Sequence, residues 1–282
     1  MSTTTTTTTT TRTSTPASDG PVDPVGADLT KTLRALKLGG MSTTLPERLV
    51  LARTRSMGHA AFLQLVLGDE VTRRESRSAM LRARTAGLDP AMRLDTWDEP
   101  ADLSYDRALL SDLTSLRFTE AGHSVLILGA VGVGKTHLAT ALGHIGIRRR
   151  LSVHAARTDK LFTRLRAARL DNTLAAEMRK LARVDLLILD DFALRNLDTT
   201  ETNDFYELIV ERHRKKATIV TSNRDPSEWL SMMSDALLAQ SAIDRLTSGA
   251  HTLVIEGPSY RQRGRPTGRA TVDTESEASN AH

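Results

Sequence analysis

One octapeptide constrains this chain more than any other feature. Gly129-Ala130-Val131-Gly132-Val133-Gly134-Lys135-Thr136 fits the pattern G-x-x-x-x-G-K-[ST]. The apolar run Val125–Leu128 leads into it, and Leu138, Ala139, Ala141 and Leu142 follow at helical spacing. Strand, glycine-rich turn and helix are the setting in which this pattern binds phosphate. The glycines let backbone N–H groups approach phosphate oxygens with no β-carbon in the way. A helix starting at Lys135 aims the positive end of its dipole at the same anion. Lys135 then reaches the β- and γ-phosphates, and the Thr136 hydroxyl is placed to hold Mg²⁺.

Such a loop needs a parallel sheet behind it. β-rich apolar runs at Val125–Leu128, Ser152–Ala155, Leu186–Leu189, Thr218–Thr221 and Thr252–Ile255 are separated by segments of helix length. They predict an α/β domain over residues 103–257, with a five-stranded parallel sheet and helices on both faces. Ligands of these sheets sit beyond the carboxyl ends of the strands. There Leu186–Leu189 delivers Asp190 and Asp191. Asp190 suits Mg²⁺, directly or through water. Asp191 is placed to orient or deprotonate the attacking water. Thr218–Thr221 delivers Asn223, whose amide suits the γ-phosphate or that water; its strand is expected beside the one carrying the two acids.

The remaining sequence is of other kinds. Nine consecutive threonines at 3–11, then Pro16, Pro21 and Pro24, offer no hydrophobic face to offset the entropy of ordering. Residues 1–28 are expected to be a disordered tail, and residues 258–282 another. Residues 29–98 read as a small all-helical domain. Its apolar stripe runs Leu29, Leu33, Leu36, stops at Gly39-Gly40, resumes at Leu45 and Leu49, and continues through Ala60, Leu63, Leu67 and Val71. The absence of cysteine excludes disulfides, cysteine-ligated metal and thiol catalysis. No run approaches the ~20 apolar residues that span a bilayer. A cytoplasmic protein with no membrane partner is expected.

Together these motifs resemble an AAA+ ATPase; the Asn-Lys-x-Asp guanine-reading motif of GTPases is missing. Within AAA+, the chain is similar to the IstB-like helper ATPases of IS21-type transposons, relatives of the DnaC helicase loaders and DnaA initiators. The resembling segments are Leu36–Met41, Gly129–Leu138, Asp185–Phe192, Thr221–Arg224 with Ser227-Glu228-Trp229, Asp244-Arg245-Leu246 and Glu256–Arg261. The resemblance implies that Asn223 is sensor 1. It places Arg245 where the family has its arginine finger, reaching a γ-phosphate bound by a neighbouring subunit. Catalysis would then need a homo-oligomer with ATP between subunits. The implied function is assistance to an IstA-like transposase on double-stranded DNA; the alternative is a DnaC-type replicative helicase loader. Three positions depart from the family. Ala130 stands where many relatives have Pro, which is harmless to phosphate binding. Asp191 stands where many AAA+ enzymes have Glu, so hydrolysis is expected to be slow. Ala193 replaces a common Gly, with little expected effect. No lid with a sensor 2 Arg is evident.

Charge position supports a DNA partner. Of 38 Lys and Arg, seven are Lys, and the basic residues cluster. Residues 29–95 carry twelve Lys/Arg against six Asp/Glu, and residues 148–169 carry eight against Asp159 alone. In the second cluster Lys160, Arg164, Arg166 and Arg169 follow a helix start and are candidate contacts to DNA phosphates.

Overall fold

The computed structural model describes residues 25–97 and 102–260. Most of the two expected tails, 1–24 and 261–282, therefore lies outside the described residues. The chain divides into two compact units between Arg77 and Ser78.

The first unit holds α1 (Ala27–Ala35), a 3₁₀ turn at Gly39–Thr43, α2 (Leu45–Thr54) and most of α3 (His59–Thr85). Its core is small: Val25, Leu33, Met41, Leu45 and Val66. The face α3 turns inward differs from the stripe that the sequence suggests. Val66 is 2% exposed, whereas Leu63, Leu67 and Val71 are 57%, 46% and 56% exposed. The inward face also carries Glu70, buried because Arg73 and Arg74 both donate to its carboxylate, at 2.7 Å each. An ion pair with satisfied oxygens can occupy an inward position that periodicity assigns to an apolar residue.

The second unit contains the sheet. Its strands are β1 (Val125–Gly129), β2 (Val153–Arg157), β3 (Leu186–Asp190), β4 (Ala217–Ser222) and β5 (His251–Ile255). All pairs are parallel and the order is β2-β3-β4-β1-β5. Successive side chains of a strand point to opposite faces, and two cores result. Val125, Ile127, Leu186, Ile188, Ile219 and Leu253 face one core, shared with α4 (Arg107–Thr114), α5 (Arg117–Glu120) and α6 (Lys135–Arg148). Leu126, Leu128, Leu187, Leu189 and Val220 face the other. That core is closed by α7 (Thr158–Leu170), α8 (Leu174–Arg183), α9 (Thr199–Arg212), the short α10 (Pro226–Trp229) and α11 (Ala236–Thr247). Ala83, Ala86 and Leu88, at and beyond the end of α3, also pack into the first core.

One charged side chain is built into this scaffold. Arg212, at the end of α9, is 1% exposed. It donates to the carbonyls of Leu181, Val184 and Ala217 and to Thr218 Oγ1, so α8, α9 and β4 share one polar tie. Burial pulls its pKa down to about 9.

Candidate nucleotide-binding site

Three strand ends meet at one cleft of about 550 Å³, within the size range of ligand sites. β1 supplies the loop, β3 the acids and β4 the asparagine. Val131 through Thr136, Asp191 and Asn223 all line the cleft. The loop turns on Gly132 (φ 87°) and Gly134 (φ 99°), both in the left-handed region that glycine tolerates. A β-carbon would be excluded at both for a second reason. At Gly132 it would lie 2.1 Å from Ser259 Oγ, and at Gly134 2.2 Å from the Trp97 ring. Lys135 is buried, and its Nζ donates to the Ala130 carbonyl at 2.8 Å.

Asp190 is the centre of the polar network. Its carboxylate accepts from Thr136 Oγ1 at 2.9 and 3.2 Å and from Thr221 Oγ1 at 2.6 Å. Thr221 Oγ1 in turn accepts the Asp191 backbone N–H at 3.0 Å. Burial pushes the Asp190 pKa up, opposed by the two threonine hydrogen bonds. A hydroxyl and a carboxylate side by side are hard oxygen donors of the type Mg²⁺ takes. Among the described residues no cluster of three or more His, Cys, Asp or Glu forms a metal cage. Two protein donors leave positions for phosphate oxygens and water, as Mg²⁺ prefers.

The next three residues bend sharply. Asp191 has φ 54° and Ala193 φ 56°. Asp tolerates this region; Ala pays for a crowded β-carbon, on the order of 1 kcal/mol. Ala in place of Gly at 193 thus carries a backbone cost, which corrects the expectation of little effect. Phe192, between them, is fully buried against Phe205 and Trp229 and its N–H donates to the Thr221 carbonyl.

Sequence reasoning did not assign four of the residues at this site. Thr221 is one; its signal is a hydroxyl inside an otherwise apolar buried strand. Arg157 ends β2, and its Nε lies 3.7 Å from Asp191 Oδ2; its basic run hid it among DNA candidates. Trp97 and Tyr260 also line the cleft, from segments before β1 and after β5 that carry no phosphate motif.

The remaining predicted residues lie elsewhere. Arg245, on α11, is half-buried, folds back onto Ser241 and stands over the Tyr206 ring, 6.0 Å from its centre. It does not line this cleft. The four candidate DNA contacts share α7, but three are engaged with acids. Arg164 lies 3.4 Å from Glu177, Arg166 2.7 Å from Asp198 and 3.2 Å from Glu201, and Arg169 2.6 Å from Asp204. Lys160 is exposed.

Comparison with known proteins now decides the family. The model of the IstB-like ATP binding protein family matches residues 31–267. The chain belongs to that family. Among its relatives is a Mycobacterium tuberculosis protein named for ATP binding in an insertion sequence. It is 40% identical over 244 residues, 86% of this chain and 97% of the relative. A Pseudomonas aeruginosa protein, named as the ATP-binding protein of insertion sequence IS21, is 32% identical over 243 residues, 86% of this chain and 92% of that one. Among solved structures the DnaC helicase loader matches with TM-score 0.53 at 23% identity, covering 59% of this chain and 98% of that one. ATP-analogue-bound DnaA from Aquifex aeolicus matches with TM-score 0.50 at 24% identity, covering 60% and 51%. The fold of this IstB-like chain is therefore of the DnaA/DnaC AAA+ type, and ATP is the ligand its family implies. No helix among the described residues is long and apolar enough to cross a membrane.

Proposed function

We propose that this chain is an ATPase that assembles on double-stranded DNA and assists a partner transposase in moving an insertion sequence. The observation that carries the ATPase reading is the convergence of Lys135, Thr136, Asp190, Asp191 and Asn223 on one cleft at the strand ends. Relatives that match this chain over most of its length are named as insertion-sequence proteins, which supports the transposition setting.

The residues divide the work. Loop N–H groups and Lys135 hold the β- and γ-phosphates. Thr136 and Asp190 hold Mg²⁺, which when bound neutralises charge developing on the phosphates. Asp191 accepts a proton from water as its oxygen attacks the γ-phosphorus and the bond to the β-γ bridging oxygen breaks; ADP and phosphate leave. Asn223 orients that water. Arg245 serves a neighbouring subunit's site, in keeping with its distance from its own. Hydrolysis is slow in the single subunit and rises with assembly.

Sizing the protein with duplex DNA, with ATP, with a non-hydrolysable analogue and with no nucleotide, tests the reading. Growth into large DNA complexes only with nucleotide, followed by their loss on hydrolysis, is expected. Nucleotide-independent behaviour would sink the proposal.

A further inference from the structure

The cleft lining is of two kinds. Asp191, Asn223 and Arg157 are suited to phosphate chemistry. Outside the phosphate motifs the lining is largely apolar: Met92, Trp97, Leu103, Leu194 and Tyr260. Two of these are aromatic, and they come from opposite ends of the domain. Trp97 is held by its neighbours. Its ring lies against Gly134, with a centre 5.1 Å from the His137 ring, whose Nε2 is 2.7 Å from the Arg93 carbonyl. Its indole N–H is buried without a hydrogen-bond partner. Tyr260 is fixed from the other direction: its backbone N–H donates to the Gly132 carbonyl at 2.9 Å. Further back, the chain pairs Ser104 with Glu256 through reciprocal 2.9 Å hydrogen bonds. Both aromatic residues are therefore tied to the loop that holds the phosphates.

We propose that Trp97 is the base-recognising residue of this site, packing its ring against the purine of ATP, with Tyr260 as the opposite wall. The inference rests on the nucleotide reading above and adds what holds the end of the ligand that the phosphate motifs do not touch. Aromatic rings suit this task because every base presents a flat, polarisable face, and removing one such ring typically weakens binding about 10-fold or more. Attachment to both the start and end of the domain also gives a way to hold nucleotide with no helical lid evident in the sequence.

The test separates base from phosphate. Calorimetric titration of the full chain with ATP and with inorganic tripolyphosphate, each with Mg²⁺, is compared for wild type, Trp97→Ala and Trp97→Phe. The wild type is expected to bind ATP at least about 10-fold more tightly than tripolyphosphate. Trp97→Ala should lose most of that preference by weakening ATP alone, while Trp97→Phe, which keeps a smaller ring, falls between. The intrinsic fluorescence change on ATP binding should shrink in Trp97→Phe, where Trp229 is the remaining indole. If Trp97→Ala keeps the full preference, or weakens both ligands equally, the base-recognition role is overturned. If the wild type binds neither ligand, it is the nucleotide reading itself that fails.

Discussion

Thr136 Oγ1 donates to both carboxylate oxygens of Asp190, at 2.9 and 3.2 Å, across 54 residues of sequence. That contact joins the phosphate loop to the acidic strand and fixes where a cation would sit. It also sets two functions of Asp190 against each other. Burial raises the pKa of Asp190, so the folded chain holds this proton more tightly than the unfolded chain. A carboxylate with a raised folded pKa costs stability once ionised: stability falls as pH rises through that pKa. Asp190→Asn should therefore raise the thermal midpoint of the nucleotide-free protein at pH 7. The same variant should lose the Mg²⁺ dependence of ATP affinity. A lower midpoint, or an intact Mg²⁺ response, would contradict this account of the site.

Arg245 gives a prediction about assembly. The side chain folds onto Ser241 and Tyr206, not into its own cleft. Arg245→Ala should leave ATP affinity of the isolated subunit within about twofold and cut turnover of the assembly by as much as ~10³-fold. Asp191→Asn should be inactive alone. Mixing the two should restore part of the activity, because some interfaces then pair an intact Asp191 with an intact Arg245. ATPase rates across mixing ratios check this; strictly additive, inactive mixtures would place Arg245 outside catalysis.

How much of this was legible beforehand depends on the range of the signal. The loop, the two acids and Asn223 were readable because each follows its own buried strand, and strand order follows from the family of fold. All five strands fall where their apolar runs lie, within one or two residues. The inward face of α3 was not readable: Val66 and Glu70 face inward while Leu63 and Leu67 do not, and burying Glu70 depends on its particular arginine partners. Trp97 and Tyr260 were missed for another reason. They are 163 positions apart, and only the folded domain brings both to one cleft. The acids paired with Arg166 and Arg169 were also out of reach of one segment: Asp198 and Asp204 belong to the start of α9, with α8 and β3 in between.

Those ion pairs change which substitutions can test DNA contact. Asp204 is 2% exposed, and burial pushes its pKa up against the opposing effect of Arg169. Arg169→Ala would strand a buried carboxylate and should cost about 1–3 kcal/mol of stability. Lys160 is exposed on the same helix, and Lys160→Ala should change stability by less than about 0.5 kcal/mol. If α7 contacts DNA phosphates, Lys160→Ala should weaken binding and lower the slope of log affinity against log salt by about 1. Chemical denaturation and salt titrations of duplex binding read the two effects separately. An unchanged slope would remove Lys160 from the DNA surface.

His154 provides a pH test of the same region. Burial lowers its pKa from 6.5 to about 4, assisted by the positive charges of Arg164 and Lys180 and opposed by Glu177. Its Nε2 lies 3.2 Å from the Arg164 guanidinium, so the neutral ring can accept that hydrogen bond and the protonated ring cannot. A base with a depressed folded pKa binds fewer protons folded than unfolded. Its contribution is then complete above about pH 6.5 and is lost as pH falls toward 4. Glu70, held near pKa 2 chiefly by its hydrogen bond with Arg73, loses its contribution only below its ordinary value of 4.5. Between pH 6.5 and 4.5, Asp190 and Asp204, whose pKa values burial pushes up, act with the opposite sign as pH falls, so the comparison with a non-titrating variant isolates the histidine. Thermal midpoints measured there should drop more for the wild type than for His154→Gln, whose side-chain oxygen still accepts from Arg164 but does not titrate. Equal slopes in the two proteins would mean that folding leaves the His154 pKa unchanged.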